Sequence, residues 1–356
     1  MALMSRPISS RTSIEQTYQD SVVSQGMPAG LSFSLALPRG WHLRRREAVT
    51  IPGPGSPVVE LARFAPATEN ALGWAEGAEV VILAAFLPRE MHGRDWLRAW
   101  VDSQGYSVMD SREASTPFGI MGDVLASRTR DGIRKLHRLT TFKDADLIFL
   151  LDGRASYEHC VRSPSIQEIF LLAVIRFRLL EPTRQLFAEG FEPVTLEGTA
   201  RVSFLASGLW TSRPGGDAPT EGASLIFDNL LDQRVVGTLV AVLGSVGMPA
   251  TELEAITLTK LANQGYSYSA QTQPAYEVVK PDSEVVVRSA MATRDSANFT
   301  VTSARITLDS IPVSLVLITP TESASFEAWA VNNRVFEIAL NSMRVEVVDS
   351  DPGNDR

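Results

Sequence analysis

Asp102-Ser103-Gln104-Gly105-Tyr106-Ser107 and Ala262-Asn263-Gln264-Gly265-Tyr266-Ser267 decide how this chain is read, because the second stretch echoes the first. A helical pattern leads into each: Trp96-Leu97-Arg98-Ala99-Trp100-Val101 precedes one, and residues 253–261 precede the other. A glycine just past a helix takes the left-handed conformation at little cost, so Gly105 and Gly265 read as helix caps. Working outward, four further landmarks keep the same order. Residues 31–41 form a strand ending in Gly40-Trp41, and residues 200–210 end in Trp210. Residues 119–128 match 283–289, and the apolar strand 146–151 matches 313–318. The closing segment 169–180 matches 335–347, with Phe177-Arg178-Leu179 set against Met343-Arg344-Val345. Five landmarks in one order indicate a tandem duplication, and a period of this kind settles the architecture before any single element is assigned.

A chain of 356 residues suits two domains. The repeats are expected over residues 30–180 and 198–347. A polar N-terminal extension (1–29), a linker (181–197) and a tail (348–356, with 349–356 expected to be disordered) complete the division. Leu186, Phe187 and Phe191 suggest that the linker packs, while Pro182, Pro193 and Gly198 punctuate it.

Each repeat reads strand, strand, strand, helix, strand, strand, strand, helix. Residues 32–37 alternate and stop at the turn Pro38-Arg39-Gly40; strands 58–64 and 79–86 follow, separated by the loop 70–78. The helix 95–104 carries Trp96 and Trp100 on one face at i, i+4 spacing, with Leu97 beside them, a core stripe. Strands 107–113, 119–129 and 135–152 come next, with a hairpin over Asp131-Gly132, and a helix over 165–179 closes the repeat. Strands adjacent to strands with few helices predict an α+β fold: two tandem α-β-α sandwiches, each a mainly antiparallel sheet with packed helices.

Val80-Val81-Ile82-Leu83-Ala84-Ala85-Phe86 is apolar throughout, as are most of 235–243, 147–151 and 315–318. A half-buried antiparallel strand alternates, so these strands need both faces covered. The cover is an intradomain core, the other repeat or a bound partner. On the last reading Val80, Ile82, Ala84, Leu239, Ala241 and Leu243 are the candidate partner-binding residues.

A net charge of −8 argues against a nucleic-acid surface, and the one dense basic run, Arg44-Arg45-Arg46, reads as a solvated strand end. Cys160 is the only cysteine, so no intrachain disulfide forms, in keeping with a reducing compartment. The first thirty residues hold no apolar run of signal-peptide length. No stretch of about 18 apolar residues spans a bilayer, so stable membrane insertion is not expected and the cytoplasm is the expected location.

Chemistry-bearing motifs are sparse. None of His42, His92, His137 and His159 sits at metal-ligand spacing, His159-Cys160 being merely adjacent; the second repeat holds no histidine, which excludes a catalytic histidine shared by both. There is no G-x-S-x-G elbow and no Walker loop. Gly53-Pro54-Gly55-Ser56-Pro57 reads as a turn, because its prolines lack the N–H donors a phosphate needs. Asp144 and Asp146 read as solvated carboxylates. No catalytic, cofactor-binding or metal-binding residue is expected, and neither is an enzyme.

Phe33-Ser34-Leu35-Ala36-Leu37-Pro38-Arg39-Gly40-Trp41, a strand entering a Pro-x-Gly-Trp turn, resembles the opening of PsbP/Mog-like domains. The elements that follow, including the helix ending in Gln104-Gly105-Tyr106, resemble that superfamily's DcrB-like branch. In the second repeat the turn becomes Ser207-Gly208-Leu209-Trp210 and loses its proline, so there the resemblance leans on the duplication. The resemblance implies an α-β-α sandwich and a binding or assembly role. One related group, the effector-associated (Eag) chaperones of type VI secretion, is cytoplasmic and dimeric and shields transmembrane segments of effectors. A tandem chain would be a pseudo-dimer of that arrangement, with the apolar segments held at a surface between the repeats. Many DcrB-like relatives are instead lipoproteins with a leader and a lipidated cysteine, and the N-terminal residues show neither. The expected function is therefore a protein-binding chaperone or adaptor for a partner with hydrophobic helices, such as a secreted effector. A structural or assembly component is the alternative.

Overall fold

The all-apolar strands become the centres of two main sheets. The computed structural model describes residues 1–45, 49–67, 77–215, 222–269, 273–277 and 283–346. The chain divides into unit 1, Met1–Ala188, and unit 2, Glu189–Arg356. Arg46, most of the 70–78 loop and the 349–356 tail lie outside the described residues.

Unit 1 begins with α1 (Arg11–Thr17) and β1 (Tyr18–Val23), then β2 (Phe33–Pro38), β3 (Trp41–Arg45), β4 (Val59–Pro66) and β5 (Glu79–Phe86). After α2 (Gly93–Ser103) come β6 (Ser107–Thr116), β7 (Gly119–Arg130), β8 (Ile133–Asp144) and β9 (Leu147–Ser156). The short α3 (Tyr157–Arg162), α4 (Pro164–Ile175) and β10 (Arg178–Leu179) close it. The main sheet runs β3-β4-β5-β9-β8-β7-β6, and β1-β2-β10 form a small second sheet.

Unit 2 repeats the plan with β11 (Phe191–Glu197), β12 (Arg201–Ser207), β13 (Thr211–Pro214), β14 (Ala223–Leu231) and β15 (Arg234–Leu243). Then come α5 (Ala250–Asn263), β16 (Ser267–Tyr268), β17 (Gln273–Glu277), β18 (Ser283–Arg294), β19 (Ala297–Leu308), β20 (Ile311–Pro320), α6 (Phe326–Ser342) and β21 (Arg344–Val345). The main sheet runs β13-β14-β15-β20-β19-β18-β16 with β17 also on β18, and the small sheet is β11-β12-β21. Strand order and antiparallel pairing are thus the same in both units, which establishes the two tandem α+β sandwiches.

The hairpin over Asp131-Gly132 forms, Arg130 pairing with Ile133, and its counterpart turns over Asp295-Ser296. Gly105 (φ +69°) and Gly265 (φ +95°) take the left-handed region expected of caps. Ser56 N–H donates to the Gly53 carbonyl at 2.9 Å, making 53–57 a turn.

Several elements differ from the sequence reading. Residues 135–152 are not one strand: Asp144 pairs with Leu147 across a two-residue turn, with Ala145 at φ +51°. The closing helix stops at Ile175, and Arg178-Leu179 pair with β2 as β10. The segment set apart as a polar extension supplies β1, which pairs with β2 from Tyr18↔Pro38 to Val23↔Phe33. β11 lies wholly in the stretch assigned to the linker and pairs with β12 in the same way.

Each main sheet is covered on both faces inside its own unit. One face of unit 1 meets α4 and β2 through Phe33, Phe149, Ile166 and Phe170. The other meets α2 through Leu97, Val101, Leu139 and Leu150. Burying each such side chain stabilises the fold by roughly 1.5–3 kcal/mol. Among the described residues, no helix is long and apolar enough to cross a membrane.

Candidate functional site

Val80, Ile82 and Ala84 lie in the core of unit 1, at most 1% exposed. Leu239, Ala241 and Leu243 occupy the same positions in unit 2 and are fully buried. All six face the α4 or α6 side of their own sheet. Accessible apolar surface has to be sought on the opposite face, beneath α2 and α5, where the repeats differ.

In unit 1 that face is filled. The Trp96 and Trp100 rings stack at 6.3 Å, Trp100 meets Tyr106 at 5.5 Å, and Tyr106 stands edge-on to His137 at 4.9 Å. Arg128 sits 5.4 Å above the Tyr106 ring. Burial, and after it the Asp152 carboxylate, push the Tyr106 hydroxyl up to about 12. Next to the aromatics runs a chain of charges. His137 Nδ1 is 2.8 Å from Asp152 Oδ1, and Arg154 lies 3.5 Å from the same carboxylate. Arg154 donates to Glu79 at 2.8 and 2.9 Å, and Arg63 joins Glu79 (3.4 Å) to Glu60 (2.6 Å). A His–Asp pair is part of a nucleophilic triad. Here the imidazole is 5% exposed, and among the described residues no hydroxyl or thiol is hydrogen-bonded to it, so the pair acts as internal packing.

Sheet register identifies the counterparts in unit 2. Val81 pairs with Arg63 on one side and Asp152 on the other, as Val240 pairs with Ile226 and Val316. Glu79, Arg154 and His137 stand in one row, matched by Thr238, Ile318 and Val301. The shared Gln-Gly-Tyr-Ser likewise sets Trp96 and Trp100 against Ile256 and Lys260. At four of the six positions of the ionic chain unit 2 has an aliphatic residue, Thr238 and Ser224 standing for Glu79 and Glu60, and where unit 1 has two indoles it has smaller or unbranched side chains. Unit 2 keeps its buried charge elsewhere on this face: Glu254 accepts from Ser303 at 2.7 Å and faces Arg288 and Arg305 at 3.8 and 3.9 Å.

These substitutions leave a groove of about 730 Å³ between α5 and the sheet. Ile226, Val240, Val242, Ile318 and Phe299 form its floor, and Ile256, Leu261 and Tyr266 its helix side. Its rim carries the pairs Arg213–Asp228 (3.0 Å) and Arg294–Asp295 (3.5 Å), together with Lys260. Val235 lines one end and is 56% exposed; at the same β14–β15 hairpin tip Leu230 is 42% and Leu231 59% exposed. Leu230 is the cross-strand partner of Val235, and exposed apolar surface beside a groove is a mark of interaction sites.

The other residues considered for chemistry have structural roles. Asp144 is 1% exposed and takes three hydrogen bonds from the Thr183 N–H and hydroxyl (2.9–3.1 Å), so it is a buried anchor and not a solvated carboxylate. Cys160 is buried, and burial pushes its thiol up to about 12. Among the described residues, no three His, Cys, Asp or Glu side chains are grouped to hold a metal.

Fold and groove together define a tandem α+β sandwich protein with an apolar cleft in its second repeat. Neither a family model nor a curated protein sequence matches the chain. Several solved structures are similar to it. PsbP (CyanoP) from Synechocystis sp. PCC 6803 is 8% identical over 46% of this chain and 92% of its own, with a TM-score of 0.31. LpqN, involved in cell envelope biogenesis of Mycobacterium tuberculosis, is 11% identical over 47% and 94%, with a TM-score of 0.31. The immunity protein TplEi of T6SS from Pseudomonas aeruginosa is 10% identical over 88% and 94%, with a TM-score of 0.21. PsbP-type and type VI immunity proteins thus both stand among the structural neighbours; at these TM-scores the functional reading rests on the chain's own geometry.

Proposed function

We propose that this chain is a non-enzymatic protein-binding chaperone or adaptor that shields apolar segments of a protein partner, with unit 2 providing the binding surface. The partner class implied by the family resemblance is a secreted effector of the type VI kind, bound in the cytoplasm. The observation that carries the reading is the unit 2 groove, its aliphatic floor running out to the exposed Leu230, Leu231 and Val235. A helix laid in an apolar groove is a recurring mode of peptide recognition. A pocket of this volume is also of small-molecule size, but the exposed hairpin beside it extends the apolar surface beyond what a small ligand covers.

The test is co-purification of the tagged full-length protein from its host, followed by reconstitution with the purified partner. One dominant partner with apolar helical segments is expected, its affinity reduced at least tenfold by Leu231→Asp and Val235→Asp. These two positions are exposed, whereas Ile82→Asp or Leu239→Asp would bury a charge in a core and unfold the unit. No partner, or one insensitive to both hairpin substitutions, would refute the reading.

A further inference from the structure

Residues 2–9 form no helix or strand, yet unit 1 holds them at two points. Leu3 is 8% exposed and packs in the main core of the unit, and its N–H donates to Asp110 Oδ2 at 2.7 Å. The next carbonyl, of Met4, accepts from Arg112 Nη2 at 2.8 Å and from Arg138 Nη1 at 3.2 Å. Asp123 aligns both arginines and also accepts from Thr140. At the second point the Ser9 N–H and hydroxyl both donate to the Glu168 carboxylate at 2.7 Å. Except for that hydroxyl, the strap is read through its main-chain atoms. Between the two points Ser5, Arg6, Pro7 and Ile8 are exposed.

The duplicated unit shows that the fold itself does not need these polar groups. By sheet register Asp123, Arg138 and Thr140 correspond to Val287, Thr302 and Ala304. Tyr18 pairs with Pro38 as Phe191 pairs with Ser207, and Glu168 precedes Phe177 by the same interval as Arg334 precedes Met343. The stretch at the strap's distance ahead of Phe191 includes β10 of unit 1. Strap, aligned arginine and carboxylate thus stand together in one repeat and are replaced together in the other. One hydroxyl in unit 1 is left over. Tyr18 is 6% exposed, and its Oη has no hydrogen-bond partner among the described residues. Burial, and after it the Glu168 carboxylate, raise this phenol well above its usual range. A buried donor without an acceptor is unfavourable. Glu168 is an acceptor whose charge reaches it, and Ser9 occupies that acceptor.

We propose that residues 2–9 are a detachable strap over a site in unit 1 that binds extended peptide main chain, and that the Tyr18 hydroxyl replaces Ser9 on Glu168 when the strap lifts. The proposal concerns unit 1 and stands independently of the unit 2 groove. A segment anchored by one buried side chain opens well before its unit unfolds. The site takes an apolar side chain at the Leu3 position, an extended backbone across Arg112 and Arg138, and a hydroxyl at the Ser9 position. A resident strap lowers the apparent affinity for such a segment by the fraction of molecules in which it is lifted.

The probe is a peptide of residues 1–10, labelled with fluorescein at its C-terminus and titrated by anisotropy against the full chain and against the same chain lacking residues 2–9. The strapless chain should bind it at least tenfold more tightly than the full chain does. The Leu3→Asp peptide should lose that binding. Tyr18→Phe separates a switch from mere packing. It should leave the urea midpoint of the full chain unchanged or raise it, because the hydroxyl there has no acceptor, and should lower the midpoint of the strapless chain. Added peptide should abolish that difference. Should the strapless chain fail to fold, Leu3→Asp in the full chain lifts the strap in place and is titrated instead. The proposal is overturned if a folded strapless chain does not bind the peptide, if the full chain binds it equally well, or if Tyr18→Phe shifts both midpoints alike. It is also overturned if neither strap variant folds, since residues 2–9 would then be an integral part of the core.

Discussion

Replacing Asp152 by valine, the residue at the matching position Val316 of unit 2, tests how the ionic layer of unit 1 contributes to stability. The Asp152 side chain is 3% exposed, 2.8 Å from the His137 ring and 3.5 Å from Arg154. Removing it strands a buried imidazole and takes from Arg154 one of its two acidic neighbours. Breaking one partner of such a buried pair costs about 3–5 kcal/mol, because the penalty of burying the remaining polar groups is no longer offset. For a unit spanning Met1–Ala188, this lowers the melting midpoint on the order of 10 °C. The same layer replaced as a whole should behave differently. Arg63→Ile, Glu79→Thr, His137→Val, Asp152→Val and Arg154→Ile together install the unit 2 residues and leave only Glu60, whose side chain is 30% exposed, without its partner. Wholesale apolar replacement of buried ion pairs is typically neutral or stabilising by about 1–4 kcal/mol. Near-ultraviolet circular dichroism of the stacked Trp96 and Trp100 follows unit 1 during thermal and urea unfolding. The reasoning is refuted if Asp152→Val alone costs less than about 1 kcal/mol, or if the five-residue exchange costs as much as the single substitution.

Asn332 is fully buried, donates to the Val236 carbonyl (2.8 Å) and Thr319 Oγ1 (2.9 Å), and accepts from Asn229 (2.7 Å). Asn332→Ala should cost roughly 3 kcal/mol by removing these three hydrogen bonds, read as a lower urea midpoint for unit 2. A Cβ on Gly153 would overlap the Phe170 ring, so Gly153→Ala should destabilise by about 1–3 kcal/mol; Gly53, with open space around it, should tolerate alanine by that measure. The Cys160 thiol should resist maleimide at pH 8 in the native protein and react on unfolding. Because burial raises it from 9.0 to about 12, its contribution to stability is complete below pH 9 and is lost as pH rises toward 12. Tyr106 shifts in the same direction, from 10.0 to about 12, so the melting temperature should fall across that alkaline window.

Much of the fold was legible because its signals are local and repeated: the Gln-Gly-Tyr-Ser echo, the Asp131-Gly132 turn and the all-apolar strands. What escaped was short or chemically quiet. β10 and β21 have two residues each, too few to show a period. The turn at Ala145 places an alanine at positive φ, a position that no turn-forming residue announces. β1 reads Tyr-Gln-Asp-Ser-Val-Val, polar in its middle because it is an edge strand of a small sheet, and so resembled an extension. The groove was harder, since residues that are merely smaller than their counterparts create it. Only setting Trp96 and Trp100 against Ile256 and Lys260, and Asp152 against Val316, brings it into view, and that comparison needs the register of the sheets.

The central strand pair also governs how the chain behaves while it is being synthesised. β5, apolar from Val80 to Phe86, reaches its partner β9 only after α2, β6, β7 and β8 have emerged, and β10 closes the small sheet later still. Until then the nascent chain carries a hydrophobic strand with one hydrogen-bonding edge exposed, the arrangement most prone to pairing with another chain. Unit 2 repeats the sequence of events through β15, β20 and β21. A truncation before residue 147 should therefore yield insoluble protein, not a smaller folded unit, and one before residue 311 should leave unit 2 without the strand that pairs with β15.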